Sequence, residues 1–103
     1  MRIVKIPFLK AMMKAHPRAE EMLNQWIARV KDACWRNPVE MKRDIPSVDP
    51  AKVKSGHIVY IFFNIRGNEF RLIAAVHFNT ERVFTLRFLA HAEYNLDQWK
   101  AEL

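Results

Sequence analysis

Scarcity is informative in this chain. It has a single cysteine, Cys34, so no disulfide can close within it, and a reducing compartment is the expected setting. Only two of its 103 residues are glycine while 50% are hydrophobic, which excludes a disordered or low-complexity character. No apolar run approaches the roughly 18 residues of a membrane span. Lys5, Lys10 and Lys14 interrupt the N-terminal hydrophobics before they reach signal-peptide length, so a cytoplasmic protein with no membrane partner is expected. There is no glycine-rich phosphate loop, no Cys-x-x-Cys and no His-Glu-x-x-His. His16, His57, His77 and His91 lack zinc-ligand spacing, so no cofactor and no metal is expected. Acidic residues are few as well: 17 Lys and Arg against 11 Asp and Glu leave a net charge of +6, which favours a polyanionic partner, most commonly nucleic acid. The length suits one domain covering residues 1–103, with no internal repeat or linker.

What is present reads as an α+β chain. Residues 2–5 alternate polar and apolar, as a short edge strand does. Pro7 opens a short helix that runs to His16, and Pro17 opens a longer one whose first turn carries Glu20 and Glu21. Ala19, Met22, Leu23, Trp26, Ile27, Val30, Ala33 and Cys34 follow helical spacing and form its expected buried stripe. Asn37-Pro38-Val39-Glu40 predicts a capped helix start ending before Pro46. From Ile45 to Gly56 the prolines, serines and Gly56 predict a basic connecting loop, its charges either solvated or in contact with RNA.

The rest is β-rich, with strands expected near 58–66, 69–78 and 82–90 and a hairpin turn at Gly67-Asn68. Pairing about that turn aligns Ile65 with Phe70, Asn64 with Arg71 and Phe63 with Leu72. Val59, Ile61, Phe63, Ile65, Phe70, Leu72, Ala74, Val76 and Phe78 then share the core face. An odd loop at 79–81 would add Phe84, Leu86 and Phe88 to that face and turn Thr85 and Arg87 away from it, because an unpaired buried guanidinium is costly. The same register sets Arg71 opposite Leu89 and brings His91 beside Glu69. A closing helix capped by Asn95 would use Leu96 and Trp99 as apolar contacts.

Opposite the core, Asn64, Arg66, Glu69 and Arg71 gather at the turn end of the sheet, close to His91, Glu93 and Tyr94. RNA can be cut without metal when one group takes the 2′-OH proton, another protonates the leaving 5′ oxygen, and cations stabilise the crowded phosphorus. Histidine suits the proton transfers and arginine the phosphate.

The block Phe63-Asn64-Ile65-Arg66-Gly67-Asn68-Glu69-Phe70-Arg71-Leu72-Ile73, followed by His91-Ala92-Glu93-Tyr94 and Trp99-Lys100, resembles the HigB branch of the RelE superfamily of toxins. The resemblance implies a RelE-like α+β fold whose concave sheet face meets mRNA. It also implies a ribosome-dependent endoribonuclease held inactive by a helix-turn-helix, HigA-like antitoxin. By position, Arg71 would hold the scissile phosphate, His91 would act as general base or acid, and Tyr94 would stack on a base or assist proton transfer, with Glu93 a further candidate for the base. Asn64, Arg66 and Arg87 would contact the RNA backbone. The family usually carries Thr-His-x-Glu-Tyr-Asp where this chain has Ala90-His91-Ala92-Glu93-Tyr94-Asn95. Besides catalysis, non-catalytic ribosome binding and co-repression with the antitoxin are the other functions compatible with such a basic face.

Overall fold

The computed structural model describes residues 1–65 and 69–103, and the side chains of all of these except 63–65. The elements run β1 (Arg2–Val4), α1 (Ile6–Ala15), a 3-10 turn (Pro17–Ala19), α2 (Glu20–Asp32), α3 (Pro38–Asp44), β2 (Val48–Lys52), β3 (Ile58–Ile65), β4 (Phe70–His77), β5 (Arg82–Ala90), α4 (His91–Asn95) and α5 (Gln98–Glu102). One five-stranded sheet has the order β1-β5-β4-β3-β2. Only β1 runs parallel to its neighbour, β5. This is the expected α+β architecture, with helices packed on one face of a mainly antiparallel sheet and short C-terminal helices after it.

The helices form where capping chemistry and spacing direct them. Pro17 starts a tight turn that leads into α2, and Ala19, Leu23, Trp26 and Val30 bury one stripe of it. Asn37 caps α3 by accepting the Glu40 N–H at 2.9 Å. Glu40 accepts in turn from the backbone N–H of Arg36 at 2.9 Å, one residue before the position a capping box would use. That hydrogen bond holds the Glu40 carboxyl below its ordinary pKa. Cys34 departs from its expected place in the buried stripe. Helix α2 ends at Asp32, so Cys34 falls beyond the helical phase and is exposed, while Trp35 is buried instead. The Cys34 thiol donates to Glu81 Oε1 at 3.3 Å, and this bond to a carboxylate raises its pKa.

The segment expected to be a loop contains a strand. Val48–Lys52 pairs antiparallel with β3, matching Val48 to Phe62 and Pro50 to Tyr60. Pro50 argues against a strand only in a sheet interior; at an edge its missing N–H points away from the partner.

Two irregularities change which residues share a face. Ile65 pairs with Phe70 as expected, but a register shift between Phe62 and Ile65 sets Phe62, rather than Phe63, opposite Leu72. Tyr60 and Phe62 therefore enter the helix-side core with Phe70, Leu72 and Ala74, and Val59 and Ile61 turn to the other face. A second shift between Ile73 and Ala74 keeps Arg71 opposite Leu89 but pairs Ala74 with Thr85. Val83, Thr85 and Phe88 consequently face the helices, in place of the expected Phe84, Leu86 and Phe88. Buried Thr85 is satisfied because its hydroxyl donates to the Val4 carbonyl at 3.2 Å. One inserted residue on one strand of a pair inverts the facing of everything beyond it.

The helix-side core includes Trp26 edge-on to Phe62 at 5.2 Å and Phe70 stacked on Phe88 at 5.0 Å. The opposite face, expected to be open, carries a second apolar cluster of Val53, Val59, Ile61, Ile73 and Trp99, with Leu86, Leu89, Tyr94 and Leu103 packed around it. Trp99 thus anchors the C-terminal segment as expected. Asn95 does not cap that helix: it is the last residue of α4, and Leu96 is 66% exposed. Asp97, in the left-handed region at φ 58°, turns the chain from α4 into α5. Aspartate tolerates that region better than most residues. Among the described residues, no helix is long and apolar enough to cross a membrane.

Candidate active site

Strand β4 alternates, so Phe70 and Leu72 point into the helix-side core and Arg71 between them points to the other face. Its partner strand delivers the second component. Ala90 pairs with Phe70, and the His91 N–H then donates to the Glu69 carbonyl at 2.9 Å, which extends the ladder by one bond before α4 begins. His91 is thereby fixed at the first residue of α4, on the border between strand and helix.

There the two side chains meet. Arg71 Nη2 lies 3.1 Å from His91 Nδ1, and Arg71 Nη1 donates to the Phe70 carbonyl at 3.1 Å. A guanidinium can only donate, so Nδ1 accepts and the ring proton of His91 resides on Nε2. Asn95, one helical turn further on, has its amide nitrogen 3.1 Å from Nε2. Amide nitrogen and oxygen exchange places by a flip, and a proton on Nε2 requires the flipped amide, with the oxygen facing the ring. His91 is thus gripped at both ring nitrogens in one tautomer while remaining exposed.

Tyr94, three residues after His91 on α4, lies on the same side. Its ring centroid is 5.6 Å from Arg71 Cζ, within cation–π range. The other side of the ring system is backed by Trp99, stacked at 5.5 Å, whose Nε1 donates to the Tyr94 carbonyl at 3.1 Å. Enclosed in this way, Arg71 is only 6% exposed. The sequence places it on an open surface, whereas the fold sets it in a socket between His91 and Tyr94.

The remaining candidates lie apart from this trio. Glu93 accepts the Ala90 N–H at 3.2 Å and so secures the start of α4. Glu69 is ion-paired with Arg18 at 2.8 Å, tying the turn end of the sheet to the start of the Pro17 helical segment. Arg87 shares the face of Arg71, as expected, paired with Ile73 before the second register shift, and contacts Glu102 of α5 at 3.4 Å. Arg66, the Gly67-Asn68 turn and the Asn64 side chain lie outside the described residues. Asn95 is the contact that sequence reasoning missed. Its signal was the four-residue spacing from His91, readable only once α4 is known to begin at residue 91.

Ala90, the residue before α4, has the extended backbone of an N-cap (φ −67°, ψ 159°) but no side-chain acceptor. An Ala90→Ser variant should complete a capping box with Glu93 and gain about 1 kcal/mol. Thermal melting would register this as a rise of about 4 °C or more. An unchanged melting temperature would mean that α4 does not use this position as its cap.

The chain is similar in sequence to known proteins. A family model described as HigB_toxin, RelE-like toxic component of a toxin-antitoxin system, matches residues 19–97. The mRNA interferase toxin HigB of Escherichia coli K12 is 26% identical over 95 residues, covering 92% of this chain and 88% of the relative. The mRNA interferase HigB of Escherichia coli O6:H1 is 29% identical over 93 residues, covering 90% and 86%. The match takes in α2, α3, strands β2 to β5 and α4, with Arg71, His91 and Tyr94 inside it, and the chain belongs to the HigB family of RelE-like toxins.

Proposed function

We propose that this chain is an endoribonuclease that cuts mRNA during translation on the ribosome, needs no metal, and is restrained by a helix-turn-helix, HigA-like antitoxin. The relatives' name, mRNA interferase, supports the substrate and reaction class. For this chain the reading is carried by the 3.1 Å contact between Arg71 and His91.

In the proposed reaction, a phosphate arriving beside His91 and Tyr94 draws the Arg71 donors onto its non-bridging oxygens, as the guanidinium fork is shaped to do. That releases the Nδ1 lone pair of His91, which takes the proton from the 2′-OH. The 2′ oxygen bonds to phosphorus, the bond to the 5′ oxygen breaks, and the products are a 2′,3′-cyclic phosphate and a 5′-hydroxyl. The Tyr94 hydroxyl protonates the departing 5′ oxygen and is reprotonated from solvent. Arg71 stabilises the charge that builds on the phosphorane. Asn64, Arg66 and Arg87 are assigned to the RNA backbone. Arg87 can exchange Glu102 for a phosphate at small cost, because exposed ion pairs contribute little. Glu93 is assigned to holding α4 in place.

The test is to add the purified chain to a translation extract and map mRNA ends by primer extension. New ends inside translated codons are expected, absent when initiation is blocked. Cleavage that persists without translation would remove the ribosome from the reading, and no cleavage at all would remove the catalysis.

A further inference from the structure

His91 is held from two sides, and the two holds respond differently to substrate. Arg71 Nη2 donates to Nδ1 from β4, and the Asn95 amide faces Nε2 from the last residue of α4, each at 3.1 Å. With Arg71 in place the tautomer is fixed twice over, because a guanidinium cannot accept and Nδ1 must be bare. That constraint lasts only while Arg71 stays on the ring. Once a phosphate takes the Arg71 donors, the β4 side no longer decides which ring nitrogen carries the proton. A proton that moved to Nδ1 would remove the lone pair meant for the 2′-OH. Asn95 is the partner that stays. It sits four residues from His91 on the same short helix, and that helix is pinned at both ends. Glu93 accepts the Ala90 N–H at 3.2 Å, and Trp99 Nε1 donates to the Tyr94 carbonyl at 3.1 Å.

We propose that Asn95 is a positioning residue: its amide oxygen keeps the proton on His91 Nε2 while Arg71 is engaged with phosphate, and so keeps Nδ1 available as the base. The inference rests on the catalytic reading above and deepens it, naming what preserves the base when substrate displaces its other partner. Which nitrogen of an imidazole carries the proton is set by the hydrogen bond the other nitrogen makes. A catalytic histidine in the wrong tautomer is disabled even where its geometry is intact. An amide suits this task, because its oxygen accepts from Nε2 both before and after Nδ1 takes up a proton. Being neutral, it also adds no charge that would favour the protonated ring ahead of proton transfer. The charged and titratable side chains carried by the elements around the ring are Arg71 on β4, Glu69 at the turn end of the sheet, and Glu93 and Tyr94 on α4. Among the described residues Glu69 pairs with Arg18 and Glu93 bonds the Ala90 N–H, so the side chain at position 95 sets the charge that faces Nε2.

The experiment compares the wild-type chain with N95A and N95D in two measurements. One is the rate of mRNA end formation in a translation extract across a range of pH. The other is nitrogen NMR of the His91 ring, with and without saturating inorganic phosphate. Asn95 is exposed, so both variants should melt as the wild type does. N95A is expected to lower the rate about ten-fold, as loss of an orienting partner commonly does. Its ring should carry the proton on Nε2 while Arg71 is in place and show a mixture of tautomers once phosphate is added, whereas the wild type keeps Nε2 protonated in both. N95D should recover the wild-type rate to within about two-fold at the alkaline end of the profile. Its acid limb should lie on the order of one unit higher in pH, because a carboxylate favours the protonated ring and the base is then freed only at higher pH. Cleavage by N95A at the wild-type rate overturns the proposal, as does an N95A ring that stays protonated on Nε2 alone in phosphate. An N95D acid limb that coincides with that of the wild type also overturns it, since position 95 would then not act through the ring. A wild type that cuts no mRNA, together with the phosphate-dependent tautomer mixture in N95A, would reject the catalytic reading and leave the positioning by Asn95 standing.

Discussion

Replacing His91 by alanine is expected to reduce mRNA cleavage by about 10²–10⁴-fold, the usual contribution of a positioned acid or base, while leaving the fold in place. His91 is exposed, and among the described residues its ring hydrogen-bonds to Arg71 and Asn95. The lost partner of the buried Arg71 donor should cost about 1–3 kcal/mol, small enough to leave the domain folded. A His91→Gln variant separates proton transfer from positioning. Its amide oxygen can accept from Arg71 as Nδ1 does, but the side chain cannot take up a proton at neutral pH. If His91 transfers the proton, glutamine should be as inactive as alanine. Recovery of a tenth or more of the wild-type rate by glutamine would reassign His91 to holding the arginine. The measurement is the initial rate of end formation in a translation extract, paired with thermal melting of each variant.

Trp99→Ala should have the largest effect on stability, about 3–5 kcal/mol as for other buried aromatic truncations. That is a large share of the roughly 5–15 kcal/mol that holds a domain of this size together. Trp99 is 2% exposed and forms the centre of the second apolar cluster, where it packs with Val53, Val59, Ile61 and Ile73. It also supports the site, stacking on Tyr94 and donating to that residue's carbonyl. Its loss should therefore loosen α4 and α5 before the helix-side core. Chemical denaturation would read the global loss, and hydrogen exchange would show residues 91–102 losing protection first. A loss below about 1 kcal/mol would mean that the C-terminal helices contribute little to stability. Intact protection over α4 would mean that Tyr94 is held without the tryptophan.

Both predictions depend on placements that the sequence shows only in part. The pairing next to the hairpin turn was readable, because Ile65 opposite Phe70 and Arg71 opposite Leu89 follow from alternation counted over a few residues. The approach of His91 to Glu69 follows from the same count. Further from the turn the count fails at each register shift. Val59 and Ile61 are as apolar as Tyr60 and Phe62, so no polar residue marks which pair belongs to which face. Where both faces are apolar, alternation carries no directional signal. Strand β2 was hidden for a different reason: Pro50 reads locally as a breaker, and only its position at the sheet edge makes it tolerable.

The sequence by itself determined the kind and place of most of the main elements, the basic character, and the residue types of the site, since these depend on local spacing, capping and charge. Tertiary structure decided what Arg71 is. A solvent-facing arginine and one enclosed by Phe70, His91 and Tyr94 have the same neighbours in sequence. The difference comes from Trp99 and the two short C-terminal helices, which fold back over a sheet face that the register shifts have made apolar. That closure depends on contacts between residues far apart in the chain, and the burial of their apolar surface stabilises an arrangement that no local pattern encodes.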